Sequence, residues 1–371
     1  MEKQLHIVCL DVPFPPDYGG VFDLYYKIRA LHAKGIVIHL HCFEYGRGHQ
    51  EELKKYCSTL NYYKRKKGLA GLSLNLPYIV SSRANKQLLQ NLLLDAHPIL
   101  LEGIHCAYFL STGQLKNRKV FLRLHNVEYA YYRNLAKAEH TIKKLYYQWE
   151  SLMLRKFEKR IASCAILLSV TMKDKRAYET VFQCRDIRLL PLFLPWKQVN
   201  SSPGQGSYCL YHGNLSVAEN ELAATWILIH LGGRTLLPLV IAGGKASQKL
   251  KALAKEKNVV IEESPDDHRM KELISGAHIH ILPSFNTTGI KIKLLHALFN
   301  GRHCLINDAT DKETGLEGLS HYANTPEEFR SKIHSLVITP FSQQEKELRN
   351  MKLTHQYNNE KNAEQLIAWI Y

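Results

Sequence analysis

Residues 287 to 296 read TTGIKIKLLH, two hydroxyls, a glycine and two lysines leading into an apolar pattern. Ile290, Leu294 and Leu298, with Ile292, Leu295 and Phe299 beside them, recur at helical spacing, and Asn300-Gly301 stops the pattern. A helix opening at Thr288-Gly289 places Lys291 and Lys293 in its first turn, where the dipole is already positive and carboxylates are preferred. A bound anion resolves that conflict. Thr287 or Thr288 can cap the helix, Gly289 lets backbone approach a ligand, and the free amides with a mobile ammonium suit a phosphate group. The two lysines lie about 200° apart around a helix, so one of them, Lys291 at the amide end, is expected to face the anion.

Other chemistry-bearing residues fall where apolar runs end. PPDYGG, residues 15–20, sets Gly19 and Gly20 between a first strand and a first helix, where a side chain would obstruct a ligand. LLEGIH places Glu102 and His105 after another run, and LHNVE places His125, Asn126 and Glu128 after a third. Gly213, in GNLS, follows the first apolar run of the second half. The ends of parallel strands are where ligands bind in open α/β sheets.

The elements that must position these residues alternate. Expected strands are His6–Val12, Val37–Cys42, Ile99–Glu102, Val120–Leu124, Ala165–Val170 and Ile187–Leu190. In the second half they are Tyr208–Tyr211, Leu239–Ala242, Val259–Glu262, His278–Leu282 and His303–Asn307. Helical patterns lie between, including a long one filling much of residues 127 to 161. This grammar implies an α/β fold of two Rossmann-like, doubly wound domains facing a cleft. The proline- and glycine-containing stretch 191–207 reads as a linker. It separates an N-terminal acceptor-side domain (1–190) from a C-terminal domain (208–345), followed by a helical segment (346–371).

Composition narrows the function. Residues 1–200 hold 31 Lys and Arg against 16 Asp and Glu, whereas residues 201–371 hold 18 of each, so the whole +15 belongs to the first half. Such asymmetry points to a large anionic partner. No nucleic-acid reading motif is present, so nucleic acid is not expected. KRKKG (64–68) and the aromatic, basic stretch 129–150 suit an anionic membrane surface. No run approaches the length of a membrane span, and the N-terminus has no signal-peptide anatomy. The expected location is cytoplasmic, with peripheral contact at the inner face of the cytoplasmic membrane. Eight scattered cysteines without a Cys-x-x-Cys pair read as reduced thiols. Neither a zinc site nor a disulfide framework is expected.

Taken in order, PFPPDYGG, LLEGIH, LRLHNVEYAYYRNLA, YHGNLSVAENELAATWIL, VIAGG, ILPS and TGIKIKLLHALFNGRHCLIND resemble glycosyltransferase family 4, enzymes of the GT-B architecture. The resemblance covers nearly the whole chain. It implies a retaining hexosyltransferase that moves a sugar from a nucleotide-sugar donor to a glycan or lipid-linked saccharide, in bacterial surface polysaccharide or glycoconjugate synthesis. The donor diphosphate falls to Gly19, Gly20, Gly213, Lys291 and Lys293, and the sugar and nucleoside to Thr287, Thr288, Gly289, Ile290 and His296. His105 approaches the anomeric centre, with Lys291 and Glu102 as further catalytic candidates. His125, Asn126 and Glu128 face the acceptor. No metal or other cofactor is expected, because no Asp-x-Asp motif is present. The chain departs from the family where glutamates are usual, at Thr288 and His296, and where arginine is usual, at Asn214. A GT-B nucleotide-sugar epimerase or a catalytically inactive nucleotide-sugar-binding relative are the alternatives.

Overall fold

A computed structural model describes residues 2–16, 19–139, 141–311 and 313–371. Asp17 and Tyr18 of the PPDYGG loop and His140 of the aromatic stretch lie outside them. Thirteen strands are formed among the described residues: β1 (Gln4–Cys9), β2 (Val37–Glu44), β3 (Thr59–Lys64), β4 (Ile99–Glu102), β5 (Val120–Leu124), β6 (Ile166–Ser169), β7 (Ile187–Leu189), β8 (Cys209–His212), β9 (Leu239–Gly243), β10 (Val260–Glu263), β11 (Ile279–Ile281), β12 (His303–Ile306) and β13 (His321–Tyr322). They make two all-parallel sheets, of order β3-β2-β1-β4-β5-β6-β7 and β10-β9-β8-β11-β12-β13. Each order reverses once, between β1 and β4 and between β8 and β11. Those two points are where open sheets bind ligands.

The chain divides into two compact units, residues 1–195 with 357–371, and residues 196–356. The first sheet is covered on both faces, which is why β4 and β5 read as continuous apolar runs. Val8, Leu101, Leu122, Leu154 and Phe157 lie in one core cluster. Ile7, Ile38, Leu100 and Phe121 lie in another, which Ala363, Leu366 and Ile370 complete. The last 26 residues therefore do not act as one segment. Helix Gln343–Gln356 belongs to the second unit, anchored by Arg349 to the carbonyl of Gly301 (3.0 Å), whereas Asn359–Ile370 joins the first. Asn359 holds Leu194 by both its N–H and its carbonyl, at 2.9 and 2.7 Å.

Three element readings need correction. The long helix is two, Glu128–Ala138 and Lys143–Ile161, and Glu139 between them is extended. β3 and β13 escaped notice because β3 is a half-exposed edge strand with a polar pattern and β13 has two residues. The helix expected to open at Thr288 begins at Ile292, with Lys291 at the cap position. Gly289 precedes it at φ +63°, a left-handed conformation that glycine adopts without strain. Of the eight cysteines, seven are buried and Cys164 is exposed.

Candidate functional site

The later start of helix Ile292–Asn300 changes how its lysines point. Lys291 is not wound into the helix, so the expected 200° separation does not apply, and both lysines reach the start of helix Ala218–Leu231. Lys291 Nζ lies 3.0 Å from Glu219 Oε1 and 3.2 Å from the Thr288 carbonyl. Lys293 Nζ donates to Asn220 Oδ1 at 2.9 Å and to the Tyr211 hydroxyl at 3.1 Å. Burial pushes the Lys293 ammonium down to about 8, with Glu219 resisting the shift and Lys291 adding to it. Burial would raise the Glu219 carboxyl. Lys291, helped by Lys293 and Ser284, overrides that and holds it below the ordinary range. The result is a carboxylate between two ammonium groups at the switch point of the second sheet.

The loops around this group are held by short polar links. Neither Thr288 nor Thr287 caps the helix; the Thr288 amide and hydroxyl both donate to Asn286 Oδ1, at 3.0 and 2.9 Å. Ser284 Oγ donates to Glu219. In the GNLS loop, Asn220 Nδ2 donates to the Asn214 carbonyl at 2.9 Å, and a Cβ at Gly213 would meet the Asn220 side chain at 3.3 Å. The two glycines of VIAGG serve packing: a Cβ at Gly243 would stand 1.7 Å from the Gly213 carbonyl oxygen, and one at Gly244 2.6 Å from Asn214 Oδ1. His296 stacks on Trp196, with ring centroids 4.8 Å apart and planes 26° apart, and burial depresses it to about 4, so it is neutral at pH 7. Ile290 and His296 are half-buried and Thr287 is exposed.

In the first unit the candidates gather at the β1/β4 switch point. Gly19 and Gly20 are the first residues of helix Gly19–Ala33, which follows β1. Gly103, after β4, has φ +86°, and a Cβ there would lie 3.1 Å from His105 Nδ1 and 3.5 Å from His125 Cδ2. The two histidines therefore flank one glycine. His105 Nδ1 is buried without a hydrogen-bond partner, and burial, with Arg83 adding to it, holds the imidazole well below its usual range. It presents a neutral ring.

Glu102 is fully buried and committed elsewhere than His105. Its Oε1 accepts from Lys27 Nζ at 2.7 Å, and its Oε2 stands 3.4 Å from His125 Nε2. Lys27 also reaches Asp23 at 2.9 Å, and Arg123 holds Asp23 through Nε at 3.2 Å. This charge-balanced group lies beneath the switch point rather than at its surface. Asn126 Nδ2 donates to Glu128 Oε1 at 3.3 Å; burial pushes the Glu128 carboxyl up to about 7, against Asn126 and with Asp174. A carboxyl at that value exchanges protons near neutral pH.

Of the residues singled out in the sequence, the structure brings together Thr288, Gly289, Lys291 and Lys293, and separately His105 and His125. Sequence reasoning missed Glu219, Asn220, Tyr211, Ser284 and Asn286. Glu219 is a first-turn acid of its helix, and only a neighbouring strand's loop makes it a partner of Lys291.

No protein-family model matches the chain. An uncharacterised 44.6 kDa protein in the cps region of Klebsiella pneumoniae is 26% identical over 336 residues, covering 84% of each chain. Among solved structures, sucrose-phosphate synthase from Thermosynechococcus elongatus superposes with a TM-score of 0.75 at 14% identity, over 99% of this chain and 98% of that one. WaaG, a glycosyltransferase involved in lipopolysaccharide biosynthesis, superposes with a TM-score of 0.65 at 12% identity, over 98% and 99%. The fold is therefore GT-B, with two Rossmann-like domains, and the chain resembles glycosyltransferases along its length.

Proposed function

We propose that the chain is a glycosyltransferase of the hexosyltransferase class, taking a sugar from a nucleotide-sugar donor in the synthesis of a surface polysaccharide or glycoconjugate. The observation that carries this reading is the Lys291–Glu219–Lys293 group at the β8/β11 switch point, in a fold shared with WaaG. The donor diphosphate binds there, against both ammonium groups and the Gly289 turn. The sugar and nucleoside fall to Thr287, Thr288, Ile290 and His296. In transfer, the bond from the anomeric carbon to the phosphate oxygen breaks, and a bond forms to an acceptor hydroxyl oxygen. The hydroxyl proton passes to the departing diphosphate. The two ammonium groups stabilise the charge that develops on that diphosphate, so the chemistry needs no metal ion. Retention of configuration rests on the resemblance of the motifs to family 4. His105, neutral and unpartnered at Nδ1, can accept from a sugar hydroxyl, and Glu128 with Asn126 serves the acceptor side.

The acceptor reading extends to a lipid-linked saccharide at the inner face of the membrane. Leu69, Leu74 and Ile142 are more than 80% exposed and Trp149 is half exposed, among Lys64 to Lys67, Lys143 and Lys144. Both basic segments border residues 78–82: Glu150 accepts from the amides of Tyr78 and Ile79 at 3.0 Å, and Lys66 N donates to the Ser82 carbonyl at 2.8 Å. Apolar tips ringed by cations suit an anionic bilayer surface. No helix among the described residues is long and apolar enough to cross a membrane.

The test is thermal stabilisation by UDP, GDP, ADP, CDP and dTDP, on the natural chain and on Lys291→Ala and Lys293→Ala. One diphosphate at about a hundred times its dissociation constant adds roughly 2.7 kcal/mol, and the lysine variants lose that response. No response to any of the five overturns the donor reading. Transfer assayed without added Mg²⁺ or Mn²⁺ tests metal independence.

A further inference from the structure

The second unit contains a group of side chains that the donor reading does not use. His303 opens β12, His321 opens β13, and Glu345 lies in the first turn of helix Gln343–Gln356. His303 Nδ1 stands 3.2 Å from His321 Nε2 and 3.5 Å from Glu345 Oε1. One ligand atom from each residue lies within 4.8 Å of the other two. We propose that His303, His321 and Glu345 form a site for a divalent transition metal of the zinc class, pinning the edge strand β13 and helix Gln343–Gln356 to β12.

The spacing suits such an ion. Tetrahedral bonds of about 2.0–2.2 Å keep neighbouring ligand atoms about 3.4 Å apart, so the two measured gaps match without movement of the backbone. The other edges of His303 and Glu345 are already oriented. His303 Nε2 faces the Thr339 carbonyl oxygen at 2.9 Å. A carbonyl only accepts, so Nε2 carries the proton and Nδ1 turns its lone pair to the site. Glu345 Oε2 accepts from the amide and hydroxyl of Ser342, each at 2.8 Å, which leaves Oε1 toward the histidines. His278 packs edge-on to His303, but its nitrogens are taken by the amide of Gly206 and the carbonyl of Leu336.

A second group of similar type, Asp23, Glu102 and His125, shows what a site already filled looks like. There Lys27 and Arg123 supply the cations. Beside Glu345, the neighbouring Arg349 spends its guanidinium on the carbonyls of Gly301 and Leu319 and on Cys304 Sγ. A cavity of about 60 Å³, lined by Leu319, Ser320, His321, Glu345 and Arg349, gives access from solvent. The Ser320 hydroxyl oxygen in its wall is buried and unpartnered. Two imidazoles and one carboxylate select Zn²⁺, Co²⁺ or Ni²⁺ over Mg²⁺ and Ca²⁺, which demand oxygen ligands. The sequence hides the site because its ligands sit on three separate elements at no motif spacing.

The experiment uses the full untagged chain, dialysed against EDTA and titrated with Co²⁺ and Zn²⁺. One equivalent of Co²⁺ per chain is expected to give the visible absorption of a four-coordinate site. Zn²⁺ at a hundred times its dissociation constant is expected to raise Tm by about 5–10 °C. His321→Asn and Glu345→Gln, checked for native secondary structure by circular dichroism, lose both responses. Absence of a stoichiometric Co²⁺ band in the folded chain overturns the proposal, as does a band that persists undiminished in both variants.

Discussion

Replacing Glu219 by glutamine should weaken the fold and tighten the donor site. The carboxylate lies 3.0 Å from Lys291 in a pair whose side chains are 11% and 17% exposed. Breaking fully buried pairs costs about 3–5 kcal/mol and exposed ones about 0–1, so this mostly buried pair should cost about 2 kcal/mol. For a unit of this size that lowers Tm by about 4–8 °C. A diphosphate touching Lys291 would stand about 6 Å from the Glu219 charge, a repulsion of about 3 kcal/mol at an effective dielectric of about 20. Glutamine removes that repulsion. It also removes the carboxylate that sustains the Lys293 proton, and regaining that proton costs about 1.4 kcal/mol for each unit of further depression. The repulsion removed is expected to be the larger effect, so the variant should bind the nucleoside diphosphate more tightly, roughly tenfold for every 1.4 kcal/mol of net gain. Isothermal titration at pH 7 and low salt, beside a melting curve, measures both terms. A diphosphate bound no more tightly by the less stable variant would refute the placement of the diphosphate against Lys291, across from Glu219.

Further outcomes follow from the same contacts. Diphosphate affinity should be flat below about pH 8 and fall toward tenfold per unit above it, as free Lys293 loses its proton near 8; calorimetry across pH 6.5–10 reads this. The unfolded chain holds that proton more tightly, up to 10.5, so Lys293 adds to unliganded stability as pH rises through the same window, opposite in sign to the affinity. Gly243→Ala, whose Cβ would sit 1.7 Å from the Gly213 oxygen, should cost about 3 kcal/mol or more in urea unfolding. Lys27→Met leaves Asp23 to Arg123 and Glu102 with only His125 Nε2 at 3.4 Å, and should cost about 3–5 kcal/mol, read as a lower urea midpoint. Leu74→Glu with Trp149→Glu should abolish co-sedimentation with anionic vesicles while leaving the diphosphate response unchanged.

The fold was legible because both sheets are parallel. A strand covered on both faces must be apolar at successive positions, so β4, β5 and β12 announce themselves within a residue or two of their ends. β3 does not, because an edge strand has one face in water and carries Thr59, Asn61 and Lys64. The switch points were legible too, since Gly19, Gly20, His105, His125 and Gly213 follow the ends of apolar runs that form β1, β4, β5 and β8. What stayed hidden is contact across elements. Nothing in SVAENE indicates that Glu219 meets Lys291, or that Asn220 links Lys293 to the Asn214 loop. A pattern read along one helix cannot report which neighbour its first turn faces.

That hidden contact alters how the positive charge at Lys291 and Lys293 is to be understood. Two ammonium groups beside a helix start, with no anion, would repel one another and the helix dipole. Glu219 settles this in the unliganded protein, and Asn220 and Tyr211 complete the ring of acceptors around Lys293. A site balanced by its own carboxylate needs no anion to stay folded, and in the proposed function the donor would bind by rearranging this pair rather than by ordering a loop. The departure from the family 4 pattern at Thr288 fits the same logic. A carboxylate at Thr288 would stand beside Lys291, whose Nζ already reaches the Thr288 carbonyl at 3.2 Å, and would compete with the diphosphate for it. With Glu219 supplying one negative charge from the adjacent helix, the group carries a net single positive charge while Lys293 is protonated. One further carboxylate would cancel it, and with it the attraction for the donor on which the proposed function depends.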